Sequence, residues 1–589
     1  MRHSFRRKIR HQKRQVESLG TQTEAGLERN LFGRLNNLGR VWRFVAAWLV
    51  LFGLLLGCVV AQNQALAGYY TKEGPVPGGI YNEGVVGTIT NVNPLYASSD
   101  ADATVSRLIF ASLFRYDENS KLVGDLAQSW KVDDKGTTYT VTLKPNLKWQ
   151  DGQPLTAHDV EFTYRTIQNP DAQSPLNGSW QNVTVTAVDD HTVTFKLTNP
   201  VSSFIYTLTN GIVPEHLLKS IPATDLRSAS FNTSSPIGAG PFQWDAIQVK
   251  GTDPQSAIIQ IALKPYKDYW RGQAKLKSFV VHAYADPQAM IDDFKNHDIT
   301  AMAGLNAVPN GVKNTDAVVH SLRLNAATMV FFKTSTGILQ DTHVRQALVE
   351  AIDTSAVLQK LDYPARPVRE PLLEGQPGYN AKYAEAEFNP EKAQAELNKA
   401  GWKPGNDGML QKSGQPLSFV LCADDNSEYR IVARELASQW RAIGVDVQLN
   451  LQPTQDFKNT LATHEYDAVL HGISIGADPD VFPYWDSSQA DIRSATRLNL
   501  SEYKSKKADE ALEAARARFD PKLREIKLEP FLESWQKDAP ALALYQPRYL
   551  YITQGEVYGL TAHSINGGVN RLVNVNEWMI RTGRVPDNN

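Results

Sequence analysis

The sequence predicts an α/β protein of several lobes preceded by one membrane-spanning helix. Three observations carry this reading. An uncharged apolar run follows a basic N-terminal arm, short segments alternate apolar and polar residues, and helical stretches end in glycine with a strand behind them.

The arm comes first. Residues 1–43 hold eleven Lys and Arg against three Glu, a formal charge of +8, so the remainder carries −10 of the overall −2. An acidic body gives no support to nucleic-acid binding. Phe44–Ala61 (FVAAWLVLFGLLLGCVVA) is an uncharged run of eighteen residues. At about 1.5 Å per residue it just crosses a hydrocarbon core of about 30 Å. The basic arm should stay cytoplasmic and everything after the run should lie outside. Three fates stay open. The helix is retained as an anchor, or Leu55-Leu56-Gly57-Cys58 serves as a lipobox with Cys58 lipidated, or cleavage follows Ala67. The long arm and the unsuitable Leu56 favour the anchor. All three put the main domain on the outer face of the cell membrane.

The chain has 589 residues, 42% of them hydrophobic. That length suggests three or four domains or lobes. Its two cysteines are Cys58, in the apolar run, and Cys422, so the outer part has one thiol and no internal disulfide.

Residues 62–77, ending in Gly74-Pro75-Val76-Pro77, read as a linker. Beyond it Tyr139–Leu143 and Thr192–Leu197 alternate like half-buried strands. Val344–Leu361, Pro390–Lys399 and Ser427–Ile443 have helical periodicity. Gly401 and Gly444 close the last two, and Val445–Leu449 then reads as a strand. Helix, glycine and strand in that order are α/β organisation.

The stretch KWQDGQPLTAHDVEFTY, Lys148–Tyr164, concentrates Asp151, His158, Asp159 and Glu161. Asp151-Gly152 is a turn signal, and Thr156 with Asp159 resembles a helix N-cap. No second histidine sits at the spacing of a zinc helix and no cysteine is near, so the stretch reads as scaffold. The chain carries no P-loop, no H-E-x-x-H and no cysteine pair. Ile237-Gly238-Ala239-Gly240-Pro241 is its nearest approach to a phosphate loop, and Pro241 removes an N–H that a phosphate would need.

Seven segments in register resemble the family 5 extracellular solute-binding proteins of ABC importers, the dipeptide- and oligopeptide-binding class. They are Gly78–Leu95, Leu126–Trp130, the Lys148–Tyr164 stretch, Gly211–Leu218, Pro236–Phe242, Asp341–Asp353 and Asp478–Gln489. The resemblance implies a two-lobed periplasmic-binding-protein-like fold without catalytic residues. Lobe one would take Gly78–Lys277 and the return from Tyr545 to Asn589, with an extra subdomain over Ala127–Thr186. Lobe two would take 278–544. Hinge strands would cross near Leu276–Phe279 and Leu544–Pro547.

The resemblance also implies a function. An extracytoplasmic receptor would capture a peptide or peptide-like solute and deliver it to ABC permease subunits. It would act as a monomer with no cofactor and no metal. Ligand contacts are expected from Thr88, Ile89, Thr90 and Asn91, read as a strand, from His471, Gly472, Ile473, Ser474 and Ile475, and near Trp485. In peptide-binding members an aspartate just before the D-P pair holds the ligand's ammonium. Counting back from Asp478-Pro479 puts that position at Ile475, and the family's tryptophan at Gly472. An ammonium buried without a carboxylate is costly, so a free-amine dipeptide is disfavoured unless Asp478 takes the role. On this reading Ile475→Asp should improve dipeptide binding. Relatives also take up nickel complexes, haem and sugars. The alternatives are a surface hydrolase on the same scaffold and a sensing or adhesion module without transport.

Overall fold

The computed structural model describes residues 42–251, 257–312, 316–361, 363, 365–406, 408–494, 497–561 and 564–586. The basic arm up to residue 41 lies outside them. The described chain forms two units, one N-terminal with the last residues of the chain and one spanning Pro77–Arg581.

In the first unit the helix runs Trp42–Tyr70, and its stretch Trp42–Asn63 has a mean hydropathy of 2.6. Twenty-two residues at about 1.5 Å each give roughly 33 Å, enough to cross a bilayer core. The helix does not stop at Ala61. It passes through the expected linker because Gln62–Ala67 contains neither glycine nor proline to end it. Strand Thr71–Val76 follows and pairs with the C-terminal strand Arg581–Pro586. What reads as a linker is therefore helix and edge strand.

The second unit is built on two sheets. The first has eight strands in the order Ser564–Ile565, Ala317–Leu324, Arg548–Gln554, Ala301–Leu305, Ile80–Val86, Ser278–Tyr284, Ile258–Pro265 and Phe242–Lys250. Ile80–Val86 lies at its centre, parallel to both Ser278–Tyr284 and Ala301–Leu305. Helix Pro287–Lys295 makes the crossover between those two. It packs close, since a Cβ on Gly84 would stand 2.7 Å from Ile299 and 2.8 Å from Met290.

The second sheet has six strands in the order Arg366–Pro367, Ala541–Gln546, Ala326–Phe332, Ala468–Ser474, Ser418–Asp424 and Asp446–Gln452. Strand alternation splits its core in two. Val330 and Phe332 join Leu421, Leu470 and Trp440 on one face. Met329 and Phe331 join Val469, Trp485 and Trp535 on the other. Both faces are covered by helices, which is why these strands read as continuous apolar runs. Helix Ser427–Ala442, Gly444 at φ +85 and strand Asp446–Gln452 form the expected helix–glycine–strand unit. Val344–Leu361 is not one helix. Thr342–Glu350 ends, and Asp353 caps a new helix, Thr354–Leu358, by accepting the N–H groups of Ser355 and Ala356.

The sheets fix where the chain passes between lobes. Asn325 separates Ala317–Leu324 of the first sheet from Ala326–Phe332 of the second. Pro547 separates Ala541–Gln546 from Arg548–Gln554. The first passage is therefore not at Leu276–Phe279. Ser278–Tyr284 pairs along its whole length with Ile80–Val86, so lobe one keeps the chain to Leu324. The two passages touch, with Leu324 N–H donating to the Pro547 carbonyl at 3.1 Å.

A four-stranded antiparallel sheet, Ala127–Val132, Thr138–Leu143, Thr192–Leu197 and Val183–Asp189, forms a separate layer with helix Ala157–Gln168. It extends past Thr186, because Thr192–Leu197 is its inner strand. The Lys148–Tyr164 stretch serves this layer. Asp159 accepts the N–H groups of Thr156 at 2.8 Å and Glu215 at 2.9 Å, and Asp151 meets His216 at 2.8 Å.

Candidate ligand cleft

The strand Ala468–Ser474 delivers the chain to the hinge. There the N–H groups of Ile475 and Gly476 both donate to the Asn325 carbonyl at 2.9 Å. The Asn325 side chain in turn meets Ser564 at 2.8 Å and Asn566 at 2.7 Å in lobe one. The loop leaving this point carries Asp478 and Asp480 to the surface of lobe two that faces lobe one.

Each of these acids has a guanidinium. Arg524, on helix Pro521–Asp538, grips Asp478 with two N–H groups, one of them at 2.7 Å. Burial works against the charge on Arg524, but the bonds and charge of Asp478 outweigh it and raise its pKa. Arg516, on helix Lys506–Arg516, bonds Asp480 at 3.0 Å and lies 4.1 Å over the Phe482 ring. Ser203 of lobe one completes Asp480 at 2.7 Å. Lobe one also offers Tyr116 and Tyr206, stacked at 6.5 Å. Burial first, and then neighbouring charge that includes Asp478, raises the pKa of both phenols.

Between the lobes lies a cleft of about 1060 Å³. Asn182, Val201, Phe204 and Thr207 line it from lobe one, and Phe482, Gln489, Arg493 and Arg516 from lobe two. A smaller pocket of about 310 Å³ in lobe two shares Leu498 with the cleft. His471, Gly472, Ile473, Ser474, Tyr484 and Arg497 line this pocket. Tyr484 donates to the Ser474 carbonyl at 2.6 Å. Burial pushes its phenol up to about 12, the Ser474 bond acting against this and the charge of Asp480 with it. Burial pushes the His471 imidazole down to about 4, so the ring is neutral at pH 7.

The residues singled out in the sequence separate into three groups. His471, Gly472, Ile473 and Ser474 come together at the smaller pocket. A Cβ on Gly472 would stand 3.0 Å from the Tyr429 hydroxyl, so glycine fits the close packing there. Thr88, Ile89, Thr90 and Asn91 are not a strand. The strand ends at Val86, and the four form a loop whose Thr90 and Asn91 N–H groups bond Asp102 at 2.7 and 3.0 Å. None of the four lines the cleft or the pocket.

Ile475 and Trp485 face inward. Ile475 is 3% exposed, and Trp485 is fully buried, stacked at 5.6 Å on Phe331 with Trp535 at 5.7 Å. Neither lines the cleft or the smaller pocket. Trp485 reads as a contact because its motif borders the cleft, but its ring turns into the core. Asp478 lies beside the cleft, close enough to act on Tyr116 and Tyr206 of lobe one, and is already engaged by Arg524. Ser203, Asp480, Arg516 and Arg524 were missed. Asp480 stands in the quoted Asp478-Pro479-Asp480 run, whereas no local pattern links the other three to it.

The end of strand Ala468–Ser474 spells G-x-S-x-G, in Gly472-Ile473-Ser474-Ile475-Gly476. A nucleophile elbow needs a strand, a sharp turn and a helix. Here the strand runs through Ser474 and a hinge-bound loop follows. His471 is three residues away on the same strand, an odd spacing that turns the two side chains to opposite faces.

The comparisons agree with this architecture. The model described as bacterial extracellular solute-binding proteins, family 5 Middle, matches residues 121–494. The oligopeptide-binding protein AppA of Bacillus subtilis is 26% identical, over 90% of this chain and 97% of its own. The probable D,D-dipeptide-binding periplasmic protein DdpA of Escherichia coli is 27% identical, over 89% and 97%. Among solved structures, NikZ of Campylobacter jejuni, in complex with Ni(L-His), has a TM-score of 0.72 at 26% identity and covers 85% of this chain and 99% of its own. AppA of Bacillus subtilis in complex with a nonapeptide has a TM-score of 0.69 at 26% identity, covering 86% and 100%. The chain, with its two lobes on an Asn325–Pro547 hinge, belongs to the bacterial extracellular solute-binding proteins of family 5.

Proposed function

We propose that this protein is an extracytoplasmic receptor that captures a peptide or peptide-like solute between its lobes and presents it to an ABC permease. The observation that carries the reading is the cleft of about 1060 Å³, walled by both lobes and bridged by the Ser203–Asp480 bond. Two lobes joined by two adjacent passages are built to close on a solute. Relatives named for oligopeptide and D,D-dipeptide binding support a peptide.

The electrostatics narrow the mode of binding. Asp478, Asp480 and Asp491 are each paired with an arginine at or beside the cleft. A ligand ammonium would have to compete for them. We therefore favour a solute held through its backbone in extended form. Helix Trp42–Tyr70 remains as the membrane anchor in this reading, with the main domain outside.

The test uses the full chain in nanodiscs. Mass spectrometry of co-purifying small molecules names candidates, and calorimetry with di- to pentapeptides ranks them. Tight binding with a compaction in solution scattering supports the receptor. Turnover of a bound peptide would point to the hydrolase instead. Protease added to intact cells should digest the chain beyond the helix and spare the arm.

A further inference from the structure

Four cationic side chains in lobe one gather around one carboxylate. Arg107 ends helix Asp100–Ile109, Arg115 sits in strand Phe114–Tyr116, Lys144 follows strand Thr138–Leu143, and Arg271 follows Trp270. The carboxylate is Asp125, 2% exposed, which already accepts the Ser112 N–H at 3.2 Å and the Trp270 indole N–H at 3.1 Å. Each cation is held by a neutral oxygen instead. Arg107 donates to the Ser112 hydroxyl at 3.1 Å, Arg115 to the Tyr116 carbonyl at 3.1 Å, Arg271 to the Val573 carbonyl at 2.8 Å and Lys144 to the Ala127 carbonyl at 2.6 Å. Among the described residues none of the four forms an ion pair. The cluster thus carries a formal excess of positive charge in a partly buried place.

That crowding is felt. Burial, with Arg271 next, lowers the pKa of Arg115. Burial also lowers that of Lys144, with Arg115 and Arg271 adding to it against the pull of Asp125. The Arg115 Nε is buried without a partner. Arg107, Asp125, Tyr269, Arg271 and Asn576 line a partly open void of about 10 Å³, with Arg115 and Lys144 outside its lining. Such a space takes about one water-sized particle, too little for a tetrahedral oxyanion.

We propose that this void holds one monatomic anion, a halide such as chloride, held by Arg107 and Arg271, whose charge also offsets the neighbouring Arg115 and Lys144. The site lies in lobe one and is distinct from the cleft residues described above, so it stands whether or not the receptor reading holds.

Thermal melts of the full chain in detergent, titrating sodium chloride against sodium gluconate at constant ionic strength, test it. Chloride should raise Tm by roughly 1–3 °C and then saturate. Arg271→Gln should remove that rise, whereas Arg430→Gln, at the exposed Asp425 pair of lobe two, should keep it. Bromide-soaked crystals read the site without any variant, through an anomalous peak beside Arg107 and Arg271. Equal responses to chloride and gluconate, or no bromide peak in the void, overturn the proposal. A bromide peak with no chloride-specific rise means an adventitious ion only and overturns it too.

Discussion

Ser203 of lobe one donates its hydroxyl hydrogen to Asp480 of lobe two at 2.7 Å. The same carboxylate is fixed from its own side by Arg516, so closure adds a partner to an acid that is already oriented. A hydrogen bond to a charged group contributes about 1.5–3 kcal/mol when well shielded, and less where water reaches it. Ser203→Ala should therefore weaken ligand binding by roughly three- to tenfold and enlarge the radius of gyration of the unliganded protein. Calorimetry and solution scattering on wild type and variant check both. An unchanged affinity with an unchanged scattering curve would remove this bond from the closure contacts.

The neighbouring pair behaves differently because it lies within one lobe. The side chains of Asp478 and Arg524 are each 9% exposed, and they bond through two N–H groups. Removing one partner leaves a buried charge uncompensated, at a cost of about 3–5 kcal/mol. Asp478→Asn should lower the urea midpoint strongly. Asp478→Asn combined with Arg524→Met should recover much of the loss, since a thioether carries no charge to strand. A single variant as stable as wild type would show that Arg524 finds another acceptor.

The sequence made the α/β class legible through local patterns. Gly444 between helix and strand, and the alternation of Thr192–Leu197, depend on neighbours in the chain and survive folding unchanged. The hinge was less legible. Leu276–Phe279 and Leu322–Ala326 are both strand edges, and only the pairing of Ser278–Tyr284 with Ile80–Val86 tells which of them stays in lobe one. The cleft was least legible. His471–Ser474 lie on one strand and could be read together, but Ser203, Asp480 and Arg524 come from three distant segments. Trp485 and Ile475 were misread because sequence spacing says that a residue is near a loop, not which way its side chain turns.

Ile475 gives that distinction a measurable consequence. Counting along the chain places an ammonium-binding acid there, which would make Ile475→Asp a gain in dipeptide affinity. In the fold Ile475 packs in the core with Ile473, Val481 and Trp485. A carboxylate there would sit among these apolar side chains and should cost on the order of 3–5 kcal/mol. The expected outcome is a lower Tm and weaker binding of every peptide tested. A stable Ile475→Asp protein that gains amine-dependent affinity would show that the side chain can swing into the cleft.

A fall in pH should act on stability in opposite directions through two kinds of buried group. Burial lowers the His471 pKa to about 4, and that of His282 likewise to about 4, against about 6.5 when unfolded. Between these values the unfolded chain binds more protons, so stability is lost as pH falls from about 6.5 towards 4. Glu370, 1% exposed, is raised by burial to about 7. It keeps its proton in the fold where the unfolded chain has released it, so its contribution is full below about 4.5 and is lost as pH rises through 7. The two effects oppose each other between about 4.5 and 6.5, where two histidines act against one glutamate, so of these three groups the histidines prevail and the wild-type Tm should fall towards acid. Variants separate them. Glu370→Gln should stabilise by about 3 kcal/mol at pH 8, where the carboxylate would be charged, and leave pH 4.5 nearly unchanged. His471→Gln should flatten the acid limb below pH 6 while leaving the alkaline limb alone. Melts of both variants from pH 4 to pH 9 test the assignment, and a Glu370→Gln gain of equal size at every pH would mean that packing, not the proton, is responsible.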